Sequence, residues 1–311
     1  MQIPVITTMM GISVFPDDDQ LFCGMIGTHG VKMANAAVNE CDVLFLVGAR
    51  VGDRAVKTPL ALEKTTKIIH IDIDPAEIGK NIGADLPLVG DAKLVLQQMT
   101  ELAKPMKHDE WIAHIKTLGG ERKYVEPAKG TVNPRVFIDR LAKKMPANVT
   151  VVADVGQNQI WTCTEYKFRK EGRLLTSGGM GTMGYSVPAA IGAKMADNSR
   201  ATVAICGDGA FQMSFMELAT AVQFGVDIKV VVMTNNRLGM VRELQTNGYH
   251  DRQTAVFLDG SPDFIKLAEA YGIPAMRVYD DDTMEKGVEM LAEHKGICLV
   301  EVVVDKDMPT L

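Results

Sequence analysis

Short unbroken apolar runs, rather than alternating ones, recur along this chain. Val43–Val47 and Lys67–Asp72 are two of them, and the stretches 149–154, 202–206, 228–233 and 297–304 are four more. Runs of this kind suit strands buried on both faces of a parallel sheet. Between them the apolar positions return at helical spacing. Residues 31–41 and 92–102 read as helices, and so does 111–118. Over 214–224, Phe215, Leu218, Ala219 and Val222 share one face of a 3.6-residue period, and Gly225 is placed to stop that helix. Strands alternating with helices predict an α/β protein built from parallel, doubly wound sheets.

The pattern divides into two units. Residues 1–103 form the first, 104–132 a linker, and 133–311 the second. The linker is marked by Gly119-Gly120 and by Glu126-Pro127-Ala128-Lys129-Gly130, which are turn formers. Asn133-Pro134 supplies a cap and a first-turn proline for the helix that opens the second unit. The chain starts on the strand-like run Met1 to Thr8 with no helix before it, so the first unit is expected to be incomplete at its start.

Composition narrows the function classes. The chain has 311 residues, long enough for two domains. At 47% hydrophobic and 23% charged it is globular rather than disordered. A net charge of −6 with no basic tract argues against nucleic acid as a partner. No apolar run is long enough to span a bilayer, and no signal peptide opens the chain, so no membrane association is expected. Five scattered cysteines, odd in number and without a C-x-x-C pair, suit reduced thiols and a cytoplasmic location. The six histidines lack the H-E-x-x-H metal spacing.

The candidate chemistry lies in the second unit. The apolar run 202–206 leads into Gly207-Asp208-Gly209, and after one helix and one further strand come Asn235 and Asn236. Consecutive strands of such a unit lie parallel, so Asp208 and Asn235 should emerge at the same sheet edge, where α/β sheets bind ligands. A carboxylate, an amide oxygen and a nearby carbonyl are hard oxygen donors. Mg²⁺ takes about six such donors and commonly draws the rest from phosphates and water. Gly207 and Gly209 let the backbone approach a diphosphate, and the helix start after them offers N–H groups to an anion. A Mg²⁺-bridged diphosphate is the ligand this pattern suggests.

This arrangement resembles the signature of thiamine-diphosphate enzymes. The resemblance implies that Asp208, Asn235 and the carbonyl of Arg237 hold Mg²⁺. It narrows to the acetolactate (acetohydroxyacid) synthases through Asp154-Val155-Gly156-Gln157, the loop Ser177 to Tyr185, Pro188-Ala189-Ala190-Ile191-Gly192, Leu238-Gly239-Met240-Val241-Arg242 and Pro262 to Ala268. In that family Val155, Gly156, Gln157 and Asn158 lie by the cofactor, with Gln157 near the diphosphate. Gly181 and Gly207 belong to the same cofactor set, and Gly209 and Ala210 carry backbone donors. Met183 props thiamine diphosphate into its bent shape, and Gly239 and Met240 lie near its rings, so Met183 and Met240 are the expected catalytic positioning residues. Asn158 stands where a His is usual, and Leu244 where a Trp favours 2-ketobutyrate as acceptor.

The first unit resembles the central domain of the same enzymes, where FAD lies. The matching stretches include Thr8-Met9-Met10-Gly11, Gly27-Thr28-His29-Gly30, Gly48-Ala49-Arg50, His70 to Asp74, and Gly90-Asp91. The implied FAD residues are Gly30, Gly48, Arg50, Asp72, Ile73 and Asp91. Asp72 at a strand end suits a ribose hydroxyl, and Arg50 suits a phosphate. One carboxylate of the family's FAD-region motif is missing from Arg50-Val51-Gly52-Asp53-Arg54. The resemblance implies condensation of pyruvate with a second 2-ketoacid to acetolactate, by a homodimer or tetramer with a possible small regulatory subunit. The family's activating Glu belongs to a further domain that this sequence is expected to lack, which makes the chain alone inactive. Glu217 and Glu243 lie in the wrong domain to replace it. The rival readings are another thiamine-diphosphate decarboxylase or carboligase, and a non-catalytic cofactor-binding module.

Overall fold

The computed structural model describes residues 1–120 and 124–311; residues 121–123, inside the expected linker, lie outside the described residues. The chain forms two compact units. The first takes residues 1–11 and 19–122, and the second takes 12–18 and 123–311.

In the first unit, β1 (Val5–Thr7) pairs in parallel with β2 (Phe22–Met25), and α1 (Lys32–Glu40) follows. Next come β3 (Val43–Val47), α2 (Pro59–Leu62), β4 (Lys67–Asp72) and β5 (Leu86–Val89). These three strands form a parallel sheet in the order β3-β4-β5. Its core gathers Val38, Leu46, Val51, Leu62, Ile68 and Ile82. Two helices close the unit, α3 (Ala92–Leu102) and α4 (Asp109–Leu118). The span 104–132, expected as linker, therefore holds α4. Its Ile115 and Trp111 pack with Ala37 and Met33 of α1.

The second unit begins with α5 (Pro134–Lys144), started as the sequence predicts. The Asn133 side chain accepts the N–H of Arg135 at 2.9 Å, and Pro134 fills the first turn. Then follow β6 (Thr150–Ala153), α6 (Gln157–Glu165), β7 (Arg173–Thr176), α7 (Ser186–Ala196), β8 (Thr202–Gly207) and α8 (Asp208–Phe211). The helix expected over 214–224 is split. A 3-10 turn covers Phe215–Glu217, and α9 spans Leu218–Gln223. Gly225 ends α9 in the left-handed conformation, with the Val226 N–H returning to the Ala221 carbonyl at 2.8 Å. The rest is β9 (Lys229–Thr234), α10 (Gly239–Gly248), α11 (Phe264–Ala270), β10 (Ala275–Val278), α12 (Asp281–Glu293) and β11 (Cys298–Val303).

The six strands form one parallel sheet in the order β10-β11-β9-β8-β6-β7. Alternate residues serve opposite faces. Val152, Ala204, Val230, Val232 and Leu299 pack under α7, α9 and α11. Their neighbours Val151, Val203, Ile205, Val231 and Val300 are equally buried and face the layer of α5, α6 and α12. Burial on both faces is why these strands read as unbroken apolar runs. From β6 the chain moves outward to β7, then returns through α7 to β8 on the other side of β6. The winding direction reverses between β6 and β8. The carboxyl ends of those two strands therefore flank the crevice where ligands of such sheets sit.

Candidate functional site

Three chain turns meet at that crevice. They follow β6 (Asp154 to Gln157), β8 (Gly207 to Ala210) and β9 (Asn235 to Met240). Asp208 is the hub. Its carboxylate is 2% exposed, and it accepts the N–H of Gly209 at 2.8 Å, of Asn235 at 3.1 Å and of Asn236 at 2.6 Å. Asn236 adopts φ of 53°, a left-handed conformation that Asn tolerates. That turn lets two successive N–H groups reach one carboxylate oxygen. Among the described residues no cationic side chain pairs with Asp208. Burial therefore pushes its carboxyl up to about 6, against the pull of the backbone donors. Its three backbone donors only partly offset the cost of burying it, so a cation would find a favourable charge here.

The amide of Asn235 is oriented by its partners. Its Nδ2 donates to Gln157 Oε1 at 3.0 Å, and its Oδ1 accepts the Arg237 N–H at 3.0 Å. The Gln157 amide nitrogen in turn donates to the Met308 carbonyl at 2.9 Å and to the Thr310 hydroxyl at 3.2 Å. Thr310 is itself held by Glu243, which accepts its N–H at 2.7 Å and contacts its hydroxyl. The Gln157 amide, expected near the diphosphate, is thus committed to Asn235 and to the chain end. Gly239 is packed against it: a Cβ there would lie 1.8 Å from Gln157 Oε1. Glu243 is likewise committed to Thr310.

Several of the expected cofactor residues pack at this hub. Asn158 is buried, and its Nδ2 donates to the carbonyls of Asp154 at 2.8 Å and Ile205 at 3.2 Å, stitching the ends of β6 and β8 together. Its Oδ1 would lie 2.7 Å from a Cβ on Gly156, whose φ of 144° also requires glycine. It would lie 3.4 Å from a Cβ on Gly207. Gly209 faces Leu238, Leu258 and the Met183 methyl, so Met183 reaches the Gly207–Gly209 turn. Gly209 spends its N–H on Asp208. Ala210 is buried behind it and Val155 half-buried beside Gly156, while Gly181 is exposed in the loop after β7. Met240 is half-buried in the first turn of α10, and Leu244 one turn on is exposed. The Arg237 guanidinium lies 4.6 Å from the Phe257 ring centre and pairs with Asp259 at 2.8 Å. Its side chain is thus taken up by Phe257, Asp259 and the Asn236 carbonyl.

The expected FAD residues of the first unit divide. Gly48 and Arg50 follow β3, Asp72 and Ile73 lie at the end of β4, and Asp91 follows β5, so all five share the carboxyl edge of one parallel sheet. Gly30 instead follows β2, in the other strand pair. Three of these residues also have local roles. Asp91 caps α3 by accepting the Leu94 N–H at 3.0 Å, and Asp72 accepts the Asp74 N–H at 3.0 Å. At Gly30 a Cβ would lie 2.5 Å from the Met25 carbonyl oxygen. Arg50 and Ile73 are exposed.

Sequence reasoning missed two things. Asp154, at the end of β6, is a buried carboxylate with only backbone partners. The signal was a buried-type strand ending in Asp-x-Gly beside one ending in Gly-Asp-Gly. The contact of Met308 and Thr310 with Gln157 carried no local signal. Among the described residues no group of three or more His, Cys, Asp or Glu could hold a metal ion. A metal here would rest on one carboxylate with neutral oxygens, a donor set that suits Mg²⁺ and not zinc.

Comparison with known proteins identifies the family. Residues 154–302 match the C-terminal TPP binding domain of thiamine pyrophosphate enzymes, and residues 1–99 match the central domain of the same enzymes. The chain is 40% identical to the probable acetolactate synthase large subunit of Methanocaldococcus jannaschii, over 98% of this chain and 53% of that protein. It is 36% identical to the acetolactate synthase large subunit of Lactococcus lactis, over 98% of this chain and 53% of that one. With the acetolactate synthase isozyme 3 large subunit of Escherichia coli K12 the identity is 35%, over 98% of this chain and 55% of the relative. The chain spans about half the length of the curated relatives it matches. With both domain types matched, in order, over residues 1–99 and 154–302, the chain belongs to the thiamine pyrophosphate enzymes, relatives of the acetolactate synthase large subunits.

Proposed function

We propose that the second unit binds thiamine diphosphate through Mg²⁺, and that the chain serves the condensation of pyruvate with a second 2-ketoacid to acetolactate. The observation that carries this reading is the buried Asp208 carboxylate, without a cationic partner, beside the fixed Asn235 amide at the sheet's switch point. Asp208, Asn235 and the Arg237 carbonyl are the ligands assigned to Mg²⁺. When bound, thiamine diphosphate supplies the carbanion chemistry and the electron sink for decarboxylating a 2-ketoacid.

The chain's own residues bind and orient. Asp208 supplies the negative charge that recruits the metal. Gln157 sets which face Asn235 presents, because the Asn235 Nδ2 is spent on Gln157 and its Oδ1 is left toward the Arg237 backbone. Gly207 and Gly209 keep side chains out of the diphosphate's approach, and Met183 and Met240 shape the space for the rings. FAD on the carboxyl edge of the β3-β4-β5 sheet is part of the same proposal, in a structural role. So are a homo-oligomer, a small regulatory partner and a cytoplasmic location; no helix among the described residues is long and apolar enough to cross a membrane.

Calorimetric titration of the full chain with thiamine diphosphate, with and without Mg²⁺, tests the reading. Mg²⁺-dependent binding is expected, and Asp208→Ala should abolish the Mg²⁺ dependence because the one charged ligand is lost. Equal affinity in the mutant would sink the metal assignment. Product analysis of the enzyme at its relatives' full extent separates acetolactate formation from simple decarboxylation of pyruvate.

A further inference from the structure

The buried carboxylate of Asp154 makes no hydrogen bond to Asp208, Asn235 or Gln157, and its partners are all backbone N–H groups. Asp154 is fully buried at the end of β6. Its Oδ1 accepts the N–H of Val155 at 2.8 Å and of Gly184 at 3.0 Å, and its Oδ2 accepts the N–H of Ser186 at 2.8 Å. No ion pair involves it among the described residues. A carboxylate taken wholly out of water is costly, and three charge-assisted bonds to backbone donors offset that cost.

Two of those donors belong to the segment joining β7 to α7. Ser186 opens α7, and the N-cap residue Tyr185 makes no side-chain capping bond. Asp154 therefore caps α7 from a different strand, with its negative charge at the positive end of the helix. Gly184 turns the chain just before, at φ of 82°, and a Cβ there would lie 2.9 Å from the Met213 Cβ. The opposite end of the loop is tied by Ser177. Its carbonyl accepts the Gly181 N–H at 2.7 Å, and its hydroxyl accepts the Thr182 N–H at 3.1 Å. Met183 lies between these two ties, with its methyl 3.5 Å from the position of a Gly209 Cβ.

We propose that Asp154 is a positioning residue that acts through Met183, holding the Ser177–Ser186 loop so that Met183 shapes the ring end of the cofactor site. This rests on the thiamine-diphosphate reading given above. The metal end is assigned to Asp208, Asn235 and Gln157, with which the Asp154 side chain makes no hydrogen bond; its one tie on that side is the Val155 N–H of its own turn. The two ends of the site should therefore respond differently when Asp154 is changed.

In Asp154→Asn an amide nitrogen would confront one of the N–H donors, and the loop loses a tie. Two probes are titrated against the full chain in Mg²⁺: thiamine diphosphate, which needs both ends of the site, and inorganic pyrophosphate, which needs only the metal end. The expected result is a loss of about tenfold or more for thiamine diphosphate, with pyrophosphate changed by less than about twofold, the size of effect seen when a supporting residue behind a ligand is removed. Equal losses for both probes, or no loss for either, would overturn the proposal. Failure of the unaltered chain to bind either probe would instead overturn the cofactor reading itself. Hydrogen exchange on the unaltered chain gives a second test that needs no variant. The Gly184 and Ser186 amides should exchange far more slowly than that of the exposed Met180, and equal rates would refute the clamp.

Discussion

At Gly239 the site tolerates no side chain. A methyl group there would lie 1.8 Å from Gln157 Oε1 and 3.1 Å from Asn235 Nδ2. Gln157 has nowhere to retreat, because its amide is held by Met308 and Thr310 as well as Asn235. Nor is Gly239 needed for a left-handed turn, since it is not among the positive-φ glycines. Gly239→Ala is therefore a steric test. Overpacking of this kind typically costs about 1–3 kcal/mol. The variant should lose Mg²⁺-dependent affinity for thiamine diphosphate by about tenfold or more, as Gln157 is driven off Asn235. A titration with unchanged affinity would show that the Gln157–Asn235 bond does not set the ligand. The meeting of Asp208 with Asn235 and Asn236 was legible in the sequence because its signals are local: Gly-Asp-Gly ends one strand and Asn-Asn ends the next. The support behind the hub was not. Gln157 is tied to a segment remote in sequence, and Met308 and Thr310 contribute through a carbonyl and a hydroxyl that carry no pattern.

The elements show the same divide between local and distant causes. The long parallel strands were readable, because burial on both faces writes an unbroken apolar run. The short edge strands β7 and β10 were not, since edge positions such as Arg173 and Arg277 break the run. Helix α6 was hidden for a different reason. All nine of its residues are buried, and they include Gln157, Asn158, Gln159, Thr162, Thr164 and Glu165. Buried polar groups paired along the helix and to its neighbours, such as Gln159 with Thr176 at 2.6 Å, erase the apolar stripe on which periodicity depends. Residues 12–18 are a further case, since they join the second unit although the sequence on both sides belongs to the first. There Ser13 accepts the Leu174 N–H at 3.0 Å, and Asp17 accepts the Phe168 N–H at 2.9 Å. The other carboxylate oxygen of Asp17 is buried without a partner, and burial pushes this carboxyl up to about 6. The native chain thus holds this proton at pH values where the unfolded chain has released it. Stability should fall as pH rises from about 4 to about 6 and then level off. A shift of this size is worth up to about 3 kcal/mol, reduced to about 1–2 kcal/mol by solvent screening of a half-buried group. Asp17→Asn should keep the bond to Phe168, flatten that decline and raise stability at neutral pH. Urea denaturation across this pH range checks it, and an unaltered slope in the variant would exclude Asp17 as the source.

At the scale of the molecule, four large apolar side chains on segments that carry the site are exposed. Met180 is 89% exposed, and Met213, Leu244 and Phe257 are each at least half exposed. Met180 lies in the loop that Asp154 and Ser177 tie down, Met213 packs beside Gly184, Leu244 rides on α10, and Phe257 stacks on Arg237. Single exposed apolar side chains are ordinary, whereas a contiguous group of them is the mark of an interaction surface. A second copy of this chain is the cover that a symmetric oligomer would supply. Binding of the cofactor and self-association would then be linked, each strengthening the other by the same factor. The apparent affinity for thiamine diphosphate in Mg²⁺ should rise as protein concentration is raised over about two orders of magnitude. Sedimentation velocity should show the added cofactor shifting the chain toward a heavier species. Met180→Glu would place a charge on this rim without touching Asp208, Asn235 or Gln157, so it should weaken both effects together and leave thermal stability in dilute solution unchanged. A cofactor affinity independent of protein concentration, with one monomeric species throughout, would overturn the link between these side chains and self-association.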